Sequence, residues 1–275
     1  MREEWFRADD GLRIRILRFR PPMPVARALC IHGLGAHAGY FEKLGTRLQA
    51  RSIEVLAPDL RGHGLTGGPP SVPLSLRDLS SLVEHYGVTH LIGHSIGAGF
   101  AIRLSPAHGL PMVLLAPHVR GTEGRFSRIL RRVGIWINAR VRPDKEVVLD
   151  GALEERLSSD PVGKAILNDP LSRRRFTYGF LDDLYSLTGR AILHAARHVR
   201  APTLILHGER DEVSDMKGSI ELLRSLGTGR KRLKPLEGLG HTFGGLISPI
   251  EMSLSEEEPV VGEVESWIRL TSRPG

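Results

Sequence analysis

Leu91-Ile92-Gly93-His94-Ser95-Ile96-Gly97 is the stretch on which the reading of this chain turns. An apolar run, Val88 to Ile92, enters it, and a segment of small residues leaves it. The G-x-S-x-G pattern between them predicts a strand that turns sharply into a helix with Ser95 at the tip. Glycines two before and two after the serine keep side chains off the crossing backbone. Such a turn lifts the Ser95 hydroxyl clear of the sheet. It also leaves the Ile96 N–H at a helix N-terminus, free to donate to an oxyanion. Five residues of this kind occur by chance in many proteins, so the flanking sequence has to carry the argument.

Working upstream, a helix with Leu76, Leu79, Leu82 and Val83 on one face follows a Pro/Gly-rich linker from Gly67 to Pro73. Before it, the short strand Ile53 to Ala57 runs into the loop Pro58-Asp59-Leu60-Arg61-Gly62-His63-Gly64. Tyr40, Leu44 and Leu48 recur at helical spacing. Val25 to Ile31 reads as a buried strand ending in His32-Gly33-Leu34-Gly35, which presents the Leu34 N–H toward a site at the strand ends. At the start, Asp9-Asp10-Gly11 is a hairpin turn signal, and Leu12 to Phe19 alternates apolar and basic residues as a half-buried strand does.

Downstream, Met112 to Ala116 is a further apolar strand. From about 118 to 200 the chain is Arg-rich, with helical periodicity and no good strand. Ala201 to Leu206 resumes the sheet and stops at His207-Gly208-Glu209-Arg210-Asp211. Met216 to Leu226 is helical, Arg232 to Leu236 is a last strand feeding Glu237-Gly238-Leu239-Gly240-His241, and a terminal helix runs near Pro259 to Thr271. Strands that are almost continuous apolar runs, alternating with helices, indicate an α/β protein with a mostly parallel central sheet covered on both faces. The expected organisation is a core of residues 1–117 and 201–275, with an N-terminal antiparallel hairpin, and a helical cap inserted at 118–200. Ligands in such sheets sit at the carboxyl ends of strands, where His32, Asp59, Ser95 and Pro117 all fall.

Bulk composition excludes more than it selects. At 275 residues, 41% hydrophobic and 25% charged, the chain reads as a soluble globular protein with one large core. The net charge of +7 would attract nucleic acid or anionic lipid. The basic residues are not gathered with aromatics into a nucleic-acid motif, so no nucleic-acid partner is expected. Codon bias or heat adaptation is the plainer source of the charge. The single cysteine, Cys30, leaves no intrachain disulfide and is compatible with a cytoplasmic location. The charged start Met1-Arg2-Glu3-Glu4-Trp5 lacks the apolar region of a signal peptide. No apolar run approaches the roughly 20 residues that cross a bilayer.

Serine is a poor nucleophile at neutral pH and needs a base, itself oriented by an acid. Ser95, Asp211 and His241 follow in that order, each just after an expected strand. Glu209, Glu212 and Asp215 are rivals for the acid. His32 and His94 read as packing or hydrogen-bonding residues, Asp59 and His63 as loop-holding residues, and Cys30 as a buried filler. The histidines are not at zinc-ligand spacing, so no metal is expected, and no cofactor either.

These pieces together resemble the α/β-hydrolase superfamily, and within it the monoacylglycerol lipase and lysophospholipase (serine-aminopeptidase-like) group. The resemblance rests on His32-Gly33, Asp59-Leu60-Arg61-Gly62-His63-Gly64, Gly93-His94-Ser95-Ile96-Gly97, His207-Gly208-Glu209-Arg210-Asp211, the segment Asp211 to Ser219, and Gly240-His241. More loosely, it extends to Ser159-Asp160-Pro161 and Asn168-Asp169-Pro170-Leu171 in the insert. It implies an α/β-hydrolase fold with Ser95 as nucleophile, His241 as base and Asp211 as the acid that holds it. The Leu34 and Ile96 N–H groups would form the oxyanion hole, and carboxylic esters would be cleaved through an acyl-enzyme. The substrate would be a small-molecule or lipid acyl ester. Members of that group usually carry His-Gly-x-Gly-Glu-His with Arg shortly after, whereas Ala36 and Tyr40 stand here in place of Glu and Arg. Polar support for a glycerol head group is correspondingly reduced.

In the insert, Phe126, Ile129, Leu130, Val133 and Ile137 fall at helical spacing among Arg125, Arg128, Arg131, Arg132, Arg140 and Arg142. The plain expectation is a lid helix whose apolar face covers the acyl pocket. The sharper one is a basic amphipathic face that also contacts anionic lipid, making the protein peripheral to a membrane. A peptidase or carbon–carbon bond hydrolase on the same triad, and a non-catalytic ligand-binding protein on the same scaffold, stay as competing readings. An aminopeptidase calls for acidic residues near the substrate amine, which the Arg-rich insert does not favour.

Overall fold

Alternate residues of each central strand divide the core into two layers. In the strand Ala26–Ile31, Leu29 and Ile31 join one layer while Ala28 and Cys30 join the other, and Met112–Leu115 splits the same way. This period of two, with both faces apolar, is what a sheet buried on both sides requires. The structure is a computed structural model and describes residues 1–122, 124–148, 161–249 and 258–272.

Its strands are β1 (Arg2–Arg7), β2 (Arg13–Phe19), β3 (Ala26–Ile31), β4 (Ile53–Pro58), β5 (His90–His94), β6 (Met112–Leu115), β7 (Glu146–Val148), β8 (Arg175–Thr177), β9 (Thr203–Gly208) and β10 (Lys231–Leu236). Eight of them form one sheet in the order β1-β2-β4-β3-β5-β6-β9-β10. The β1–β2 and β2–β4 pairs are antiparallel and the remaining pairs parallel, as the sequence led us to expect.

Helices cover both faces. On one side lie α2 (Val72–Tyr86), capped by the Ser71 hydroxyl and ended by Gly87 in the left-handed conformation, and α3 (Ile96–His108). On the other lie α1 (Glu42–Ala50), which buries Leu44 and Leu48, and the last helix, which buries Val260, Val261, Val264 and Ile268.

Between β6 and β9 run α4 (Arg125–Val141), α5 (Pro161–Asn168), α6 (Tyr178–Asp183) and α7 (Gly189–Ala196). Then come α8 (Met216–Ser225) and α9 (Glu258–Ser272). Two findings depart from expectation here. The insert contains a short antiparallel ribbon, β7 with β8, where the sequence showed no good strand. Its last helix, α7, lies against α3 and α8, with Ile192 and Ala196 buried in the sheet-side core. Ser159 and Asp160 lie outside the described residues.

Candidate active site

The tight turn at Ser95 is built as the glycines predicted. Ser95 has φ 53°, a conformation an L-residue adopts only under constraint. A side chain at Gly97 would collide with the Ile31 carbonyl, and one at Gly93 with the backbone of Gly97 and Ala98. The turn is clamped from the neighbouring strand: the Ser95 N–H donates to the Leu115 carbonyl at 2.9 Å, and the Ser95 carbonyl accepts from His118 N–H at 3.2 Å. Strain held by such surroundings is characteristic of functional positions.

Asp211 and His241 are brought together because β9 and β10 are parallel neighbours whose end loops abut. The Arg210 N–H donates to the Leu239 carbonyl at 2.9 Å across that seam. His241 Nδ1 bonds Asp211 Oδ2 at 2.8 Å, while Asp211 Oδ1 accepts from the Val213 and Ser214 N–H groups at 2.8 Å each. Burial by itself would raise the Asp211 pKa. The positive charge available on His241, with hydrogen bonds from His241 and the Ser214 N–H, outweighs burial and holds the carboxyl below its ordinary value. Of the rival acids, Asp215 instead caps α8 through the Lys217 N–H and pairs with Arg120 at 3.0 Å.

No hydrogen bond joins Ser95 Oγ to His241 among the described residues; in unliganded sites such bonds are often long. The serine turn meets the histidine loop through His94. Its Nε2–H donates to the His241 carbonyl at 3.0 Å, and the two rings lie 4.9 Å apart. Because that bond requires the proton on Nε2, Nδ1 is a bare acceptor, and it has no partner among the described residues. Burial, reinforced by the His241 charge, pushes the His94 pKa down to about 3, so the ring is neutral.

His207 plays a comparable part for the acid. Fully buried, it donates from Nε2 to the Ser214 carbonyl at 3.1 Å and lies 3.5 Å from Asp211 Oδ2. From the sequence, His94 was a packing or hydrogen-bonding residue without its partner, and the role of His207 was not drawn, although its position four before Asp211 was the available signal.

Leu34 and Ile96 line one cavity, with His32 and His63. The loop bearing Leu34 is braced on three sides. His32 donates from Nδ1 to the Gly33 carbonyl and accepts from the Leu60 N–H at 3.0 Å on Nε2. Buried Asp59 accepts from the Ala38 N–H at 2.6 Å and the Leu65 N–H at 2.8 Å. The insert supplies the third brace: Arg173 N–H donates to Gly35 O at 2.8 Å, His37 Nε2 meets Asp169 at 2.6 Å, and Tyr40 bonds Ser172 at 2.8 Å. Tyr40 thus ties the loop to the insert in the position where an arginine was expected. Cys30 is buried, and that burial pushes its thiol up, out of any reactive range.

A profile of the family described as serine aminopeptidase, S33, matches residues 22–244. The chain belongs to the serine aminopeptidase S33 family. Like this chain in sequence is a monoacylglycerol lipase of Mycolicibacterium smegmatis, 28% identical over 97% of this chain and 96% of the relative. The mouse monoglyceride lipase is 26% identical over 91% of this chain and 85% of its own. Among solved structures, the monoglyceride lipase of Saccharomyces cerevisiae, a soluble variant in complex with a substrate analogue, superposes with TM-score 0.81 at 19% identity, covering 99% of this chain and 96% of that one. The expected α/β-hydrolase fold, and the likeness to the monoacylglycerol lipase group within this S33 family, are borne out.

The lid expectation needs correction at one point. Far from being buried over a pocket, the apolar residues of α4 face outward: Phe126 is 73% exposed, Leu130 56% and Trp136 49%. The helix rests on α6, and Arg140 lies 4.0 Å over the Trp136 ring.

Proposed function

We propose that this chain is a cofactor-free carboxylic ester hydrolase of the monoacylglycerol lipase type, working through an acyl-enzyme. Ser95 Oγ attacks the ester carbonyl while His241 takes its proton. The Leu34 and Ile96 N–H groups hold the oxyanion, and His241 then protonates the departing alcohol. Water, activated by the same imidazole, attacks the acyl-enzyme, releases the carboxylic acid and returns the proton to Ser95. Asp211 keeps His241 in the tautomer that presents Nε2 to the serine. The observation that carries this reading is the positive-φ turn at Ser95 set beside the Asp211–His241 pair. Residues 118–200 act as the cap over the acyl site.

The test is hydrolysis of p-nitrophenyl esters and monoacylglycerols before and after Ser95→Ala, together with labelling by a fluorophosphonate probe. Activity should fall by at least about 10³-fold and labelling should vanish. Activity that survives the substitution removes Ser95 from the mechanism.

A second reading concerns where the enzyme works. The outward apolar face of α4, interleaved with arginines, suits contact with an anionic lipid surface, from which a lipid ester would be drawn. No described helix is long and apolar enough to cross a membrane.

A further inference from the structure

The turn that carries Leu34 is held from two sides, and the two holds come from different parts of the chain. The Leu34 N–H and the Gly33 carbonyl are the two ends of one planar peptide group, so fixing the carbonyl fixes the direction of the N–H. The core fixes that peptide directly. His32 Nδ1 donates to the Gly33 carbonyl at 2.8 Å, and the Ala36 N–H donates to it at 3.3 Å across the turn. Past the turn, the insert takes hold. The Gly35 carbonyl accepts from the Arg173 N–H at 2.8 Å, and two residues further on His37 meets Asp169.

The protons at that junction can be assigned. His37 Nδ1 accepts from the Gly39 N–H at 3.1 Å, so Nε2 carries the proton and donates to Asp169 Oδ2 at 2.6 Å. Ser172 Oγ donates to the same carboxylate oxygen at 2.8 Å, which leaves the Tyr40 hydroxyl donating to Ser172 Oγ at 2.8 Å. Burial pushes the Tyr40 phenol pKa up, so that proton stays on. Asp169 Oδ1 accepts from the Leu171 N–H of its own turn at 3.0 Å, which aims the carboxylate before any partner is counted. The imidazole has no room to rotate away. It lies against Gly39, where a Cβ would stand 2.6 Å from Cε1, and it packs edge-on to the Tyr40 ring at 5.0 Å. The His37 and Asp169 side chains are only 6% and 10% exposed, and a charge-assisted bond between buried groups is short, strong and intolerant of displacement. One carboxylate of the insert therefore ends two hydrogen-bond chains from the Leu34 side, one through His37 and one through Tyr40 and Ser172.

We infer that Asp169 is a positioning residue: acting through His37, it holds the Leu34 N–H where the oxyanion forms, so that the insert contributes to the rate of the chemical step. This rests on the ester-hydrolase reading above and deepens it. A donor displaced by a fraction of an ångström still admits the ester but meets the developing charge less well, so the cost falls on kcat and not on KM.

The experiment measures kcat and KM for p-nitrophenyl butyrate. Beside them it measures inhibition by an alkyl trifluoromethyl ketone, whose hemiketal with Ser95 carries an oxyanion, and by the corresponding trifluoromethyl carbinol, which forms none. Asp169→Ala should lower kcat by about tenfold or more with KM within about twofold. The inhibition constant of the ketone should rise by the same factor as kcat/KM falls, while that of the carbinol stays put. Asp169→Asn, whose amide oxygen still accepts from His37 Nε2, should recover part of the loss. Because the effect runs through His37, the double variant of His37→Phe with Asp169→Ala should be no slower than the slower single variant. An unchanged kcat in Asp169→Ala overturns the inference. So does equal weakening of ketone and carbinol, which is what a merely loosened site would show. If Asp169→Ala does not fold, Asp169→Asn decides: a matched fall in kcat and in ketone inhibition supports the inference, and values equal to wild type overturn it. Wild-type protein that neither hydrolyses the ester nor is inhibited by the ketone sinks the hydrolase reading and this inference with it, whereas active wild type with an indifferent Asp169→Ala sinks this inference alone.

Discussion

At the scale of single residues, His94 shows how much a side chain beside the nucleophile can contribute without touching substrate. Its one donor is spent on the His241 carbonyl, so it holds the backbone of the proposed base at a set distance from the serine turn. Replacing it with Phe keeps the ring volume and removes the donor. The expected result is a fall in kcat of about tenfold or more with KM within about twofold, since the bond acts on alignment rather than substrate binding. His94→Gln, whose amide can donate, should recover part of the loss. Equal effects on kcat and KM in both variants, or no effect, would show that His94 only fills space. The sequence brought this residue into view and left its role as packing or hydrogen bonding. The carbonyl it serves lies 147 positions away, and no local pattern reports such a pairing. His207 bonds the Ser214 carbonyl only seven positions on, but its side chain reaches it through the folded loop after β9, whereas the constraint at Ser95 is written in the adjacent glycines. Glycines at fixed offsets are needed wherever two backbones cross this closely.

At the scale of elements, legibility followed length and burial. Strands β3 to β6 and β9 are short apolar runs buried on both faces, and they announced themselves. The three-residue strands β7 and β8 carry charged residues and make no periodic pattern, so only their pairing defines them. Helix α4 is instructive in the opposite sense. Its amphipathic spacing was plain, but periodicity specifies a face and not what covers it. The structure leaves Phe126, Leu130, Val133, Trp136 and Ile137 about half exposed or more. If that face meets anionic lipid, the protein should co-sediment with phosphatidylglycerol-containing vesicles and more weakly with phosphatidylcholine alone. Changing Arg128, Arg131 and Arg132 together to Gln should weaken binding by roughly tenfold or more, at about 1 kcal/mol per basic residue near the surface. Absent binding, or binding indifferent to the substitutions, ends that reading. The insert is meanwhile tied to the Leu34 loop through Asp169, Ser172 and Arg173, so α4 is displayed by a segment that also braces the site.

At the scale of the whole molecule, acid sensitivity follows from histidines folded in neutral form. Burial pushes the pKa of His32, His63 and His94 down to about 3 and of His90 to about 4. Unfolded, each takes a proton below about pH 6.5. Between pH 6.5 and 4 the unfolded chain therefore binds more protons than the folded one, and stability falls as pH falls. Each such histidine contributes a slope of about 1.4 kcal/mol per pH unit in that window. Asp211, held below its ordinary value, adds stability that is present above about pH 4 and lost as pH drops through its folded pKa. Urea unfolding from pH 7 to pH 4 should show a steep, steady decline. A flat profile would mean that these rings are charged or exposed in the folded state.

The sequence by itself determined the α/β architecture, the N-terminal hairpin, the serine turn and the candidate residues Ser95, Asp211 and His241. It could do so because apolar period, glycine offset and strand-end position are local properties of a chain. Tertiary structure alone decided how the Asp211 and His241 loops meet across β9 and β10, that His94 bonds the His241 carbonyl, and which way the apolar face of α4 points. Those facts depend on residues tens or hundreds of positions apart being packed at fixed distances, which no stretch of sequence contains.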